Sequence, residues 1–244
     1  MATLSLKNLF KIYNGRPVVN SVSLNIDDSS VVGLLGPNGA GKTTTFYMII
    51  GIIKPYKGQV FLDDEDITNY PMYLRARRGV GYLPQETSIF RKLTVMQNII
   101  AILEILPTSK SEQKERADML LDELGIKHLA DQKANLLSGG ERRRLEITRS
   151  LATNPSFILL DEPFAGIDPL AVIDIKNIIR HLKKRGIGIL ISDHNVRETL
   201  EVCDKAYILN DGSVIESGPP EKIATSEIAR RIYLGDEFKL SNGT

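Results

Sequence analysis

Three short segments carry residues able to do chemistry. Gly36-Pro37-Asn38-Gly39-Ala40-Gly41-Lys42-Thr43 has the G-x-x-x-x-G-K-[ST] spacing of a loop that cradles a polyphosphate. Glycines there let backbone N–H groups converge on phosphate oxygens, and the following helix turns its positive end toward them. Lys42 then neutralises the β and γ phosphates, while the Thr43 hydroxyl ligates Mg²⁺. A second segment, FILLDEP, places Asp161 and Glu162 directly after an apolar run. Adjacent carboxylates at a strand end can divide the work of hydrolysis: one holds the Mg²⁺ shell and the next orients or deprotonates the attacking water. Asp161 is accordingly assigned to the metal and Glu162 to the water, although alone the pair also suits a solvated acidic turn.

The third segment, Ser138-Gly139-Gly140-Glu141, opens the helical stretch ERRRLEITRSLATN. Its Ser-x-x-Glu spacing is a capping box, which by itself marks a helix start. Two adjacent glycines also bare the backbone at that helix N-terminus, making a second anion site.

These groups need rigid elements behind them. Asn14-Gly15 separates the alternating TLSLKNLFKIY from RPVVNSVSLNI, the pattern of a tight antiparallel hairpin. The run Val31–Leu35 reads as a strand ending at the glycine-rich loop, and 43–53 as a buried helix. Apolar runs at 157–160 and 187–192 each end in acidic or histidine residues, as interior strands of a parallel sheet do when their tips line a site. Between the phosphate loop and the end of the chain lies a helical stretch, about 87–153. There Thr94 and Gln97 form a capping box, Pro107 stops the first helix, and Gly125 caps the helix containing ERADMLLDEL. Asp211-Gly212 joins YILN to SVIES as another hairpin, and Pro219-Pro220 precedes a last helical segment. The expected architecture is α/β: a mixed sheet core with an N-terminal antiparallel β region (about 1–86 and 154–244) and an inserted helical subdomain (about 87–153), forming one domain.

Composition sets outer bounds. With 31 Lys and Arg against 30 Asp and Glu in 244 residues, the net charge of +1 gives no electrostatic reason to expect nucleic acid as the main partner. The single Cys203 has no partner for an intramolecular disulfide, which suits a reducing compartment and a buried structural thiol. MATLSLKNLF lacks the form of a secretory signal, so the mature chain is expected to start near Met1. The most apolar run, 46–53, is about half of the roughly 20 residues that span a bilayer. Any membrane role is therefore expected to be peripheral, without direct insertion.

LLSGGE resembles the signature of the ABC ATPase family, and with GPNGAGKTT and ILLDEP it completes that family's motif set over nearly the whole chain. The resemblance implies the P-loop NTPase fold of ABC type, ATP and Mg²⁺ as ligands, and Thr44 within the nucleotide-binding loop. It further implies that Ser138, Gly139 and Gly140 of one subunit contact the γ-phosphate held by a second copy, closing two subunits head to tail around two ATP molecules. Glu141 stands where that signature usually ends in Gln. By the same resemblance, Gln85 in GYLPQE is the glutamine-loop residue reaching Mg²⁺ or the attacking water. His194 in ILISDH is the switch histidine that stabilises transition-state charge. Asp168 in AGIDP would sit at the dimer interface, its plainer role being to open a turn ahead of Pro169. Tyr13 would stack on adenine, although a strand-end tyrosine beside an Asn-Gly turn is equally natural.

GYLPQETSIFRKLTV, DEPFAGIDPLAVIDI, DHNVRETL and YLGDEFKL go further and resemble the ATPases of bacterial lipopolysaccharide-export systems. That implies separate integral-membrane subunits and a location on the cytoplasmic face of the inner membrane. Phe90 and Arg91 would line a groove accepting a short helix of the membrane partner, unless Phe90 is a solvent-touching loop residue. The ATPase of a branched-chain amino-acid importer has related motifs, and a soluble ABC ATPase acting on DNA or ribosomes is a different class to be weighed.

Overall fold

The computed structural model describes residues 2–235 and 237–240; Met1, the expected start of the mature chain, and Asp236, within YLGDEFKL, lie outside them. Asn14 and Gly15 both take positive φ, 49° and 78°, as a two-residue hairpin turn requires. They join β1 (Thr3–Tyr13) to β2 (Arg16–Asp27) as an antiparallel pair. β3 (Val31–Leu35) runs into the glycine-rich loop, which opens α1 (Lys42–Ile50). The helix expected over 43–53 ends earlier because Gly51 turns left-handed at φ 83° and donates its N–H back to the Tyr47 carbonyl. β4 (Lys57–Leu62) and β5 (Glu65–Asp66) complete an antiparallel sheet of order β2-β1-β4-β5.

α2 (Met72–Arg77) carries Arg75, which is 1% exposed. Its guanidinium donates to the carbonyls of Met48, Ile49, Thr68 and Tyr70, so it caps the otherwise unpartnered C-terminal carbonyls of α1. Arg75→Met is therefore expected to cost about 2–4 kcal/mol, by leaving several buried carbonyls without donors. Chemical denaturation checks this; a loss under about 1 kcal/mol would refute the capping role.

β6 (Val80–Leu83) precedes three helices, α3 (Val95–Leu103), α4 (Lys110–Glu123) and α5 (Gly139–Leu151). Thr94 and Gln97 make both bonds of their capping box, and α3 ends ahead of Pro107. α4 begins upstream of ERADMLLDEL because Ser109 and Glu112 form a further capping box, and Gly125 follows it at φ 69°. The chain continues through β7 (Phe157–Asp161), α6 (Pro169–Lys184), β8 (Gly188–Ser192), α7 (Val196–Leu200), the hairpin of β9 (Lys205–Asn210) and β10 (Ser213–Gly218), and α8 (Pro220–Thr225), followed by a short helix at Glu227–Ala229.

The second sheet has the order β10-β9-β3-β8-β7-β6, with β10 antiparallel and the other five strands parallel. Its central strands alternate between two cores. Ile158, Leu160, Ile189 and Ile191 face the cluster that holds α3 to α5, whereas Phe157, Leu159 and Leu190 face the antiparallel sheet and α1. Burial on both faces explains why these strands read as unbroken apolar runs. Cys203 is buried, as expected. No helix among the described residues is long and apolar enough to cross a membrane.

Candidate active site

Strand order decides which side chains meet. Because β3, β8, β7 and β6 are consecutive and parallel, the segments leaving their C-terminal ends lie side by side: the phosphate loop, Asp193-His194, Asp161-Glu162 and Gln85. This is where open α/β sheets bind ligands. The phosphate loop is held tightly at its root. Gly36 has φ 144°, and a Cβ there would stand 2.1 Å from the Leu209 carbonyl oxygen. At Gly41, φ 102°, it would stand 2.4 Å from that of Val18. Glycine is required at both by close backbone approach as well as by conformation. Lys42 Nζ donates to the Gly36 and Pro37 carbonyls at 2.7 and 3.0 Å, folding over the loop between them. Burial lowers its pKa, while the charges of Glu162 and Asp161 oppose the shift. Pro37, Asn38, Gly39 and Ala40 form the loop between, and Thr43 and Thr44 stand in the first turn of α1, where the helix N-terminus adds positive potential.

Asp161 is buried, and the Tyr82 hydroxyl stands 3.4 Å from its Oδ2. Burial, followed by the charge of Glu162, raises its pKa to about 6. Glu162 is held in the left-handed region at φ 49°, an arrangement costing about 1–3 kcal/mol that the neighbouring chain must enforce. Its N–H donates to the Ser192 carbonyl at 2.6 Å, and Arg143 donates to the Asp161 and Glu162 carbonyls, each at 3.1 Å. The Glu162 carboxylate accepts from the Gln85 side-chain amide at 2.7 Å and stands 3.4 Å from His194 Nδ1. Gln85, expected to reach Mg²⁺ or the attacking water, here donates through its amide nitrogen to the carboxylate assigned to that water. His194 is 57% exposed, so its ring faces the open side of the site.

The signature helix meets the expectation for a cap and adds more. Ser138 Oγ accepts from the Glu141 N–H at 3.4 Å, and the Ser138 N–H and Oγ both donate to Glu141 Oε2 at 2.8 Å. Those bonds hold the Glu141 carboxyl below its ordinary pKa, the backbone bond contributing most. Glu141 thus serves as well as Gln in the cap and adds a charge favoured by the helix dipole. Ser138 and Gly139 remain exposed, and Gly140 is half-buried. Asp168 caps α6, accepting from the Ala171 N–H at 3.0 Å with Pro169 in the first turn, and lines one cavity with Ser138, Gly140 and Leu170. Tyr13 is 42% exposed at the end of β1, with the Lys11 ammonium 5.4 Å from its ring centre.

Sequence reasoning missed the straps between these parts. Arg143 and Glu146, both buried, pair at 3.0 Å on the inner side of α5. Arg143 also reaches the Pro84 carbonyl, Glu146 accepts from the Ser88 N–H at 3.0 Å, and Arg149 donates to the Ser88 carbonyl. The glutamine loop is therefore tied at both ends to the helix that starts at the signature. Asp193, fully buried, accepts from the Phe164 and Asn195 N–H groups at 2.9 and 2.8 Å, tying the switch segment to the carboxylate turn. An acidic residue beside His194 at a strand tip was a legible signal for Asp193. The i,i+3 charges in RRRLEITR were one for Arg143 and Glu146. Phe90 and Arg91 are exposed, Phe90 at 45%. Asn98 clamps the Phe90 backbone, accepting from its N–H at 2.8 Å and donating to its carbonyl at 3.1 Å, while the Arg149 guanidinium lies 4.6 Å from its ring centre.

A phosphate loop, a strained carboxylate beside a histidine, and a second helix N-terminus strapped to the glutamine loop make up an ATP-binding cassette. The ABC transporter family profile matches residues 19–165, and the chain belongs to that family. It is an ATPase that couples hydrolysis to transport. Among individual proteins, it is 57% identical over 241 residues to the lipopolysaccharide export system ATP-binding protein LptB of Escherichia coli strain K12, across 98% of this chain and 100% of that protein. Its fold matches the ADP conformation of MJ1267, an ATP-binding cassette of an ABC transporter, with a TM-score of 0.85 and 31% identity over 97% of this chain and 100% of that one. It also matches the cassette MJ0796, in a dimeric post-hydrolysis structure bound to ADP and Pi, with a TM-score of 0.77 and 27% identity over 89% and 98% of the two chains.

Proposed function

We propose that this chain is the ATPase of a lipopolysaccharide exporter, working as a homodimer on the cytoplasmic face of the inner membrane beneath separate integral-membrane subunits. The observation that carries the substrate is its 57% identity to LptB over 98% of this chain and 100% of that protein. The exposed, backbone-clamped Phe90 beside Arg91 supports the docking of a membrane partner, since a rigidly presented aromatic with a cation beside it suits a short amphipathic helix. The dimer is supported by Leu136 and Leu170, 67% and 75% exposed on either side of the signature, which a second copy would cover.

In this reading ATP lies on the phosphate loop with its adenine against Tyr13, and Ser138, Gly139 and Gly140 of the second copy meet its γ-phosphate. The oxygens of Thr43 and Asp161 suit Mg²⁺, as does the Gln85 side-chain carbonyl. Mg²⁺ is normally held by one or two protein oxygens together with phosphates and water, which these few oxygens suit. Bound there, Mg²⁺ neutralises charge developing on the phosphates. Glu162 takes the proton of the attacking water, with Gln85 and His194 fixing its carboxylate. Asp168 lies at the subunit interface. The helical segment 87–153, tied to the glutamine loop through Arg143, Glu146 and Arg149, moves as a subdomain and carries Phe90 with it.

Affinity purification from membranes tests this reading. Integral-membrane partners with lipopolysaccharide bound are expected; a periplasmic amino-acid receptor system or ribosomes would overturn it. Phe90→Ala is expected to lower recovery of the membrane partners about tenfold or more while leaving ATP hydrolysis by the isolated chain within about twofold. Unchanged recovery and transport would remove Phe90 from the partner groove.

A further inference from the structure

The C-terminal segment takes no part in the chemistry described above, yet its packing leads straight to the site. Beyond α8 the chain turns through Arg230–Leu234 and folds back, with Arg230 donating to the Ala224 and Phe238 carbonyls at 2.8 and 3.2 Å. Tyr233, Leu234, Phe238 and Leu240 then join an apolar cluster with Leu35, Val196 and Leu200. Leu35 immediately precedes Gly36 of the phosphate loop, and Val196 and Leu200 belong to α7, which begins just after His194. One cluster therefore joins the tail, the root of the phosphate loop and the switch helix.

Within it, the Tyr233 hydroxyl is closed off from solvent and has no hydrogen-bond partner among the described residues. The Gly36 backbone amide is its close polar neighbour, and Asp193 and Glu162 lie within electrostatic reach, although no bond of ordinary geometry closes on the oxygen. Burial raises its pKa, the Gly36 amide opposes that shift and the charges of Asp193 and Glu162 add to it, so the group stays a proton donor. A buried hydroxyl left unpaired is destabilising, and such a group in a folded protein calls for an explanation.

We propose that Tyr233 is a positioning residue of the ATPase site, through which the C-terminal segment sets the register between the phosphate loop and the switch histidine. Its ring holds the Leu35–Gly36 root against α7, and its hydroxyl completes a hydrogen bond with the Gly36 and Asp193 side of the site as the loop and switch close on the γ-phosphate. Gly36 is packed closely against the Leu209 carbonyl on one side, where an added Cβ would stand 2.1 Å from the oxygen. The inference rests on ATPase membership and is independent of the transported cargo.

Tyr233→Phe in the full chain separates this role from packing. The ring stays, and deleting an unpaired buried hydroxyl leaves the melting temperature unchanged or slightly higher. The positioning role is expected to lower kcat about tenfold while KM for ATP changes less than about twofold, because the lost interaction matters only as the site closes. Tyr233→Leu, which also removes the aromatic brace, is expected to lower kcat further. A Tyr233→Phe protein with wild-type kcat and an intact thermal transition would overturn the proposal, whatever Tyr233→Leu does to folding.

Discussion

Glu162→Gln retains ATP binding and reduces steady-state hydrolysis by about 10²–10⁴-fold, the range associated with loss of a general base. The amide matches the carboxylate in size and can still accept from the Gln85 side chain at the present 2.7 Å contact, so the local geometry survives. What it cannot do is take a proton from water. The backbone supports the specificity of this position: a residue held at φ 49° by Ser192 and Arg143 points its side chain where an ordinary strand end would not. His194, 3.4 Å away, is the rival base. If His194 accepted the proton, Glu162→Gln would cost far less than His194→Ala. The measurement is single-turnover hydrolysis with nucleotide occupancy followed in parallel; full occupancy without turnover is the expected result, and the variant should accumulate as a stable ATP-bound dimer. Steady-state turnover at the wild-type rate would show that Glu162 is not the base.

The Glu162 assignment is legible in the sequence because the groups concerned sit at strand tips, where a change from apolar to polar residues is written locally. The same holds for the hairpin turns at Asn14-Gly15 and Asp211-Gly212 and for the caps at Thr94 and Ser138. Each is an interaction between residues a few positions apart. The i,i+3 pairing of Arg143 with Glu146 is written in the sequence, but the backbone partners of Arg75 and Arg143 are not. Arg75 satisfies carbonyls on α1 that are 26 and 27 residues away, and Arg143 reaches the Pro84 carbonyl across 59. A backbone carbonyl carries no residue identity, so no spacing announces its partner. The C-terminal end of α1 is hidden for a related reason: Ile52 and Ile53 continue its apolar character, but the left-handed Gly51 decides where the hydrogen bonds stop. Gln85 shows a third kind of gap. Its position on the loop after β6 was readable, whereas its contact with Glu162 depends on β6 pairing with β7.

If the site is composite, as proposed, mixing two variants tests it. Lys42→Ala removes the cation at the phosphate loop, and Ser138→Asp sets a negative charge against the γ-phosphate while keeping an equally good helix cap. Each variant alone should lose about 10²-fold or more of its hydrolysis, since every site in a homodimer then contains the defect. Purified separately and combined in equal amounts, they should recover activity. In a mixed dimer one site joins the intact phosphate loop of the Ser138→Asp chain to the intact signature of the Lys42→Ala chain, and the other site carries both defects. With random pairing, half the dimers are mixed and each holds one sound site, so about a quarter of wild-type sites return if they turn over independently. A heterodimer isolated with two affinity tags should carry all of the recovered activity. If Ser138 acted on the phosphate bound by its own chain, no pairing could restore a sound site and the mixture would stay as inactive as its parents. Recovery therefore distinguishes a site built between two copies from one complete within a single chain. The exposed Leu136 and Leu170 around the signature are where that second copy is expected to close.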